Sequence, residues 1–273
     1  MHGLPKNIEI AIIKAYVDQK YHKYLQPENI ACFKELPSTN SYLLECANKK
    51  NNSLIFCLAE KQTAGRGRRN RIWESPDGNI YLSILWSLDY ERSQLSGLSL
   101  AIAIAVNRAF NKYGIKDTNL KWPNDILYHG YKLAGILIET TPNINNNGTA
   151  VVIGVGVNID LSAIKEKINA IDIISIIKHT ADRNLLIGLL INAVLEIILI
   201  FQTKGLTPFI DEWQAQDYSY QQMVTIHYQD QIIEGVNRGI SQSGHLLLEI
   251  TLSNHAKQLY CIAAGEVSLR RIK

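Results

Sequence analysis

Sulfur is scarce in this chain and widely spread. Its 273 residues hold four cysteines, Cys32, Cys46, Cys57 and Cys261, with no CxxC pair. That spacing gives no sign of a disulfide framework or a thiolate metal knuckle. Cys57, inside the apolar run LIFCLAE, reads as a small buried hydrophobe in a reducing cytosol. None of the seven histidines stands in HxxH or HExxH spacing, so no zinc site built by the protein alone is expected. Low-complexity tracts are absent. The N-terminal stretch MHGLPKNIEIAIIKAYVDQK has scattered charges and no apolar core, unlike a signal peptide. The most apolar run, LLIGLLINAVLEIILIF at 185–201, is interrupted by Asn192 and Glu196. These stand four apart and share a helical face, so the run reads as an amphipathic core helix and not a membrane span. The expectation is a cytoplasmic globule, long enough for one large unit and a smaller one.

What is present is local. The stretch GRGRRNRIWESPDG at 65–78 gathers Arg66, Arg68, Arg69 and Arg71 within seven residues. Without those four, the formal charge of +3 becomes −1, so the positive field is a local device aimed at an anion. Gly65 and Gly67 let the backbone approach a ligand closely, and Arg66, Arg68 and Arg71 offer planar forks for phosphate or carboxylate. On charge alone, a solvated basic turn or an RNA-binding arginine patch is equally open.

Around that loop the pattern is α+β. P-S-T-N-S opens a helix with hydroxyls at its N-terminus. LIFCLAE and NIYLSILW read as strands flanking the arginine loop and its S-P-D-G turn. QLSGLSLAIAIAVNRAF places Leu95, Leu98, Ile102, Ala105 and Ala109 on one helical face. KLAGILIE and AVVIGVGVNI read as two further strands, joined by the turn-rich PNINNNG. From about residue 220, short strands at close spacing (MVTIHY, IIEGVNRGI, HLLLEI, CIAAG and VSLRRI) suit a small β-barrel. The expected division is an N-terminal extension over 1–35, a catalytic unit over 36–219 and a small barrel over 220–273.

Three more stretches carry chemistry. In KWPNDIL, Pro123 biases Trp122 toward an extended backbone, and Asn124 and Asp125 offer oxygens to a magnesium ion carried by a nucleotide, or simply cap a turn. In YKLAGILIE, Lys132 enters an apolar strand beside the small residues Ala134 and Gly135, where it can reach a ligand on a bare sheet. In VVIGVGVN, period-2 alternation puts Ile153, Val155 and Val157 on one face and Gly154, Gly156 and Asn158 on the other. The glycines clear a floor for a flat ligand, with Asn158 at its rim; a β-bulge is the plainer alternative.

Taken in order, S-T-N, Q-x-A-G-R-G-R-x-x-R-x-W-x-S-P-x-G-x-x-Y-x-S, K-W-P-N-D, K-L-A-G-I-L-x-E and G-x-G-x-N resemble the biotin–protein ligases, from about Phe33 to the terminal GEVSLR. The resemblance implies a mixed, mostly antiparallel sheet covered by helices, like the class II aminoacyl-tRNA synthetases and biotin synthetases, with an SH3-like C-terminal barrel. It implies activation of biotin by MgATP to biotinyl-5′-adenylate, then transfer to one lysine of the biotin carboxyl carrier domain of acetyl-CoA carboxylase. On this sequence it assigns Ser38, Thr39, Asn40 and Gln62 to the biotin head. Arg66, Gly67 and Arg68 fall on the phosphate and carboxylate side, with Arg71 beside them. Lys132 would bridge carboxylate and α-phosphate, sharing the catalysis with Arg68, and Trp73 would cover the intermediate against water. Asn124, Asp125 and Asn158 would serve the nucleotide, with Mg2+ arriving on ATP near Asp125.

The chain departs from the family pattern in three places. The residues before the core are too few for the DNA-binding domain of bifunctional members, so a monofunctional enzyme without specific DNA or membrane binding is expected. Segment 160–182, where the family caps the adenine, has no tryptophan. Asn70 replaces a glycine of the loop; asparagine tolerates the left-handed region, so the loop path is expected to persist with Asn70 at positive φ. A lipoate–protein ligase on the same core is the nearest rival. That family's arginine motif runs into glycines followed by tyrosine and histidine, which this chain lacks. A homodimer through a free sheet edge is left open.

Overall fold

The computed structural model describes residues 7–47, 54–88, 92–142, 148–164, 169–228, 231–252, 255–263 and 267–271. Seven strands form the main sheet: β1 (Ile30–Leu36), β2 (Leu54–Gln62), β3 (Ile80–Leu88), β4 (Thr118–Lys121), β5 (Asp125–Tyr128), β6 (Tyr131–Pro142) and β7 (Thr149–Val157). Their spatial order is β1-β2-β3-β7-β6-β5-β4. Only β1 and β2 pair in parallel, because the helix α2 (Thr39–Ala47) carries the chain back between them.

One face of this sheet is closed by helices and the other only in part. Ile80, Leu82 and Ile84 of β3 and Val151, Ile153, Val155 and Val157 of β7 face the large core. That core also takes in α1 (Ile10–Tyr16), α3 (Leu98–Tyr113), the short α4 (Ile173–Ile177) and α5 (Arg183–Lys204). On the other face, Leu43 and Ala47 of α2 cover Ile55, Cys57, Ala59, Leu85, Ala150 and Val152. Burial there pushes the Cys57 thiol well up from its ordinary value, as befits an inert packing group. Beyond Val152 the same row of β7 continues as Gly154 and Gly156, and α2 ends. The uncovered stretch is where a cavity opens.

Three expectations need correcting. Residues 30–36 form an edge strand of the sheet, so the division at 35/36 falls inside β1. Ahead of it, Ile13, Val17, Tyr21 and Leu25 are buried in the large core, which makes the N-terminal segment an integral layer. Asn192 does not mark a solvated face of α5, although Glu196 stays half-exposed. Asn192 is buried; its Nδ2 donates to Tyr16 O at 3.0 Å and its Oδ1 accepts from Asp18 N at 2.8 Å, tying down the end of α1. Glu196 pairs with Arg108 of α3 at 3.6 Å. By length and hydropathy α5 could cross a membrane, yet 72% of its most apolar 18-residue window is buried inside the protein. In α3, Leu95 lies in the preceding 3-10 turn, and the helix starts only after Gly97 at φ +80°. Its burial is not confined to one face, since Leu100, Ala101, Ala103, Ile104 and Val106 are buried as well.

After α6 (Ile210–Gln216), strands β8 (Met223–Tyr228), β9 (Gln231–Ile240), β10 (Leu246–Thr251), β11 (Lys257–Ile262) and β12 (Val267–Arg271) form an antiparallel sheet ordered β11-β10-β9-β8-β12. CIAAG coincides with β11 only at Cys261 and Ile262, so that strand begins four residues earlier than the sequence pattern places it. The joint with the main sheet is polar. Trp122 is fully buried and its Nε1 donates to Gly244 O at 3.0 Å; Tyr218 N donates to Leu120 O at 2.8 Å.

Asn192→Ala is expected to lower stability by about 2 kcal/mol, since it removes two hydrogen bonds that hold the end of α1. Urea unfolding followed by tryptophan fluorescence measures this, and an unchanged midpoint would show that α1 does not rely on Asn192.

Candidate active site

The stretch between β2 and β3 is itself a small hairpin. Arg66 bridges Ile72, Gly67 N donates to Arg71 O at 2.7 Å, and Trp73 N donates to Gly65 O at 3.0 Å. Arg71 N closes the tip on Arg68 O at 3.3 Å. The two tip residues, Arg69 (φ 57°) and Asn70 (φ 56°), are both left-handed. This is the geometry of a hairpin turn that ordinarily takes Asn and Gly. Asn70 therefore stands where it was expected. Arg69 is the surprise, because a long side chain at this φ costs about 1–2 kcal/mol. Its side chain lines the cavity, which gives the strained position a local use. Gly65 is required sterically, since a Cβ would meet Trp73 O and Ser75 Oγ.

The cavity under this hairpin has a volume of about 240 Å³ and is walled by the ends of β2, β3, β6 and β7, the head of α2 and the Trp122–Asp125 turn. Its floor is glycine. A Cβ on Gly156 would stand 2.9 Å from the Trp73 indole, and one on Gly135 would stand 3.1 Å from it. A Cβ on Gly154 would collide with the Asn40 amide. The bare patch thus receives Trp73 on one side and Asn40 on the other.

At the α2 end the wall is a hydrogen-bond chain. Gln62 Oε1 accepts from Thr39 N at 2.9 Å and from Thr39 Oγ1 at 3.1 Å, while Gln62 Nε2 donates to Ser75 Oγ at 3.1 Å. Ser83 Oγ lies 2.7 Å from Thr39 Oγ1 and 2.6 Å from Asn40 Oδ1, with one proton to give. Ser38 Oγ faces Ser41 N at the helix start. Ser38, Thr39, Asn40 and Gln62 are therefore brought together around one end of the cavity. Ser83, which joins them, was assigned no role from sequence although NIYLSILW contains it; its signal is a small hydroxyl between Tyr81 and Leu85 on the pocket-side row of β3.

The opposite end is charged. Lys132 Nζ stands 2.7 Å from Asp125 Oδ1 and 4.9 Å from the Trp73 ring centroid. A β-bulge explains its aim. Ile126 pairs with Ala134 but Leu127 pairs with Lys132, so Leu133 is the extra residue. The extra residue turns Lys132 onto the face of Gly135, while Ala134, expected beside it, points into the core. Arg68 Nη1 donates to Asn124 Oδ1 at 3.3 Å. Burial first, and then the charge of Arg69, hold the Arg68 guanidinium below its ordinary value, with Asp125 opposing. Arg66 turns the other way and pairs with Glu139 Oε2 at 2.8 Å. Glu139, the last letter of K-L-A-G-I-L-x-E, was assigned no role from sequence.

Asn158 needs correcting. It lies one residue past the end of β7, is buried, and does not line the cavity. Its Nδ2 donates to Lys132 O at 3.1 Å and Ile171 O at 3.2 Å, stitching segment 171–173 to the back of β6. Arg71 lines the cavity mouth with an exposed side chain.

Residues 32–158 match the model of the Biotin/lipoate A/B protein ligase family. The chain is 36% identical over 233 residues to the bifunctional ligase/repressor BirA of Salmonella typhimurium, covering 84% of this chain and 72% of that one. Against BirA of Escherichia coli K12 the identity is 34% over 251 residues, 91% of this chain and 76% of the other. The biotin protein ligase of Aquifex aeolicus in complex with biotin and ATP superposes with a TM-score of 0.76 at 26% identity, over 90% of this chain and all of that one. A glycine-floored cavity on a helix-backed mixed sheet, roofed by an arginine hairpin, thus defines a biotin/lipoate ligase domain. Within that class, the chain belongs to the biotin–protein ligase family.

Two substitutions probe the cavity. Gly156→Ala is expected to push the Trp73 indole off the floor and to raise the KM for biotin about tenfold or more, because backbone holds the new Cβ in place; an unchanged KM and tryptophan spectrum would mean the floor has slack. Asn70→Gly is expected to keep full activity with little gain in biotin affinity, since both residues accept the left-handed turn. A many-fold rise in activity would make Asn70 a defect instead.

Proposed function

We propose that the two ends of this cavity divide the two substrates of an ATP-dependent biotin–protein ligase. The enzyme activates biotin to biotinyl-5′-adenylate and transfers the biotinyl group to a lysine of an acceptor protein. The hydrogen-bonded end, Thr39, Asn40, Gln62 and Ser83, suits a cyclic urea, which offers two N–H donors and a carbonyl. A dithiolane offers neither, so lipoate is disfavoured. The charged end takes the carboxylate and the α-phosphate.

The observation that carries this is the bulge-aimed Lys132, set beside Arg68 at the far end of the glycine floor. A carboxylate attacking an α-phosphate brings negative charges together, so fixed cations must meet both reactants. Lys132 is held by Asp125 until the more negative substrates arrive, and then spans the attacking carboxylate oxygen and the α-phosphate. Arg68, its charge hemmed by burial, gains most from the incoming phosphate. Arg66 is already neutralised by Glu139, so the phosphates fall to Arg68, with Arg69 and Arg71 at the mouth. Pyrophosphate leaves, and Trp73 over the floor shields the mixed anhydride from water until an acceptor amine attacks its carbonyl and AMP departs.

Asp125 also fits a metal carried by ATP. Its Oδ1 is ion-paired to Lys132 but off the hydrogen-bonding direction, and no aligned donor saturates it. Mg2+ held there, with Asn124 adjacent, would supply charge neutralisation on the phosphates. The acceptor we assign is the biotin carboxyl carrier domain of acetyl-CoA carboxylase, and the compartment the cytoplasm.

Pyrophosphate release from MgATP with biotin or with lipoate tests the reading; turnover with lipoate alone would overturn it. Lys132→Ala is expected to cut biotin-dependent release about 10²–10³-fold with an unchanged circular dichroism spectrum, the scale of losing one preorganised electrostatic contact. Near-normal release would remove Lys132 from the chemistry.

A further inference from the structure

Lys132 owes its direction to a break in the ladder, and a break needs something to hold it. On the β5 side, Ile126 pairs with Ala134 and Leu127 with Lys132, so Leu133 is extra. On the other side, the ladder between β6 and β7 begins only at Ala134 and Val157, where β7 ends. The carbonyls of Lys132 and Leu133 therefore lie past that ladder, at a point where Leu133 is fully buried. Carbonyls left unpaired there would cost stability. A slip of one residue would also send Lys132 to the helix-covered face.

Asn158, the first residue past β7, supplies the partners. Its backbone N donates to Leu133 O at 3.0 Å and its Nδ2 to Lys132 O at 3.1 Å. The second Nδ2 proton goes to Ile171 O at 3.2 Å, while Ile171 N donates to the same Lys132 O at 3.0 Å. Asn158 O in turn accepts from Ile173 N at 3.0 Å. Both amide protons thus end on backbone carbonyls, and the residue is 5% exposed. One side chain stands in for the missing stretch of β7 at the two residues that the bulge displaces.

We infer that Asn158 is the staple that aims Lys132: by capping the carbonyls of both bulge residues, it keeps the bulge in register and the lysine ammonium over the glycine floor. It is a positioning residue that acts through Lys132. The consequence for catalysis rests on the reading of Lys132 given above; the staple itself does not. Lys132 meets charge that develops as carboxylate attacks phosphate, so a drifting lysine costs rate at saturation more than it costs biotin affinity.

Hydrogen exchange of the full chain without substrates reads the staple apart from any chemistry. Asn158→Ala keeps the backbone bonds and deletes the amide. Exchange over 131–136 and at Ile171 is expected to quicken about tenfold or more, in a protein still folded by circular dichroism. At saturating biotin and MgATP, single-turnover pyrophosphate release should slow about tenfold or more, toward the ~10²-fold that a misplacement of about 1 Å can cost, with the KM for biotin within about threefold. On a Lys132→Ala background the same change should slow release by less than about twofold, since a lysine that is gone cannot be misaimed. Asn158→Ser, with a single hydroxyl proton to give, should slow release in the same way and carries the test if Asn158→Ala fails to fold. An unchanged rate, whatever happens to the KM for ATP, or losses that multiply in the double variant, would overturn the proposal. Quicker exchange in a protein whose Lys132→Ala variant still releases pyrophosphate normally would keep the staple and sink the reading of Lys132.

Discussion

Three missing side chains organise this molecule. Gly135, Gly154 and Gly156 leave one face of two adjacent strands without Cβ atoms, and everything that forms the site rests on that patch. Glycines in mid-strand weaken a sheet. The opposite face compensates: Ile153, Val155 and Val157 alternate with the glycines and are packed under α3 and α5. A strand that must be bare on one side is made stable by being densely apolar on the other. The long, largely buried and strongly apolar α5 is the cover that this arrangement requires.

Charge follows the same economy. The hairpin concentrates arginines at the cavity, yet two of the site's cations have carboxylate partners: Arg66 on Glu139 and Lys132 on Asp125. These pairs keep a cluster of like charges from driving the hairpin away. Arg68 instead bonds a neutral amide oxygen, Asn124 Oδ1, and burial first, then the charge of Arg69, lowers its proton affinity. An incoming anion would therefore meet in Arg68 a half-buried guanidinium whose bond is to an amide and not to a carboxylate.

Much of this was legible in the sequence, for definite reasons. Alternation in VVIGVGVN assigns the two faces of β7 because a strand has a fixed period, and the left-handed Asn70 follows from the family's glycine at that point and asparagine's tolerance of that region. The order of motifs points to the family. What stayed hidden depends on pairing between distant segments. The bulge at Leu133 appears only when β6 is laid against β5, and without it Lys132 would be read beside Ala134. Glu139 is plain in its motif, but its pairing with Arg66 needs the hairpin to reach it. Asn158 was placed by extending the alternation one residue past the end of the strand, where the chain turns inward. The N-terminal layer escaped notice because Ile13, Val17, Tyr21 and Leu25 are too sparse to form a periodic run.

The Trp122 indole has a consequence for modularity. Its backbone shapes one wall of the cavity, while its ring nitrogen is anchored on Gly244 O in the turn between β9 and β10. Gly244 itself (φ +76°) lies so close to Gly97 at the head of α3 that a side chain would not fit. The C-terminal sheet is therefore not an interchangeable cassette. A chimera that grafts a barrel from another protein must reproduce a glycine carbonyl at that spot, or this wall of the cavity loses its outside support.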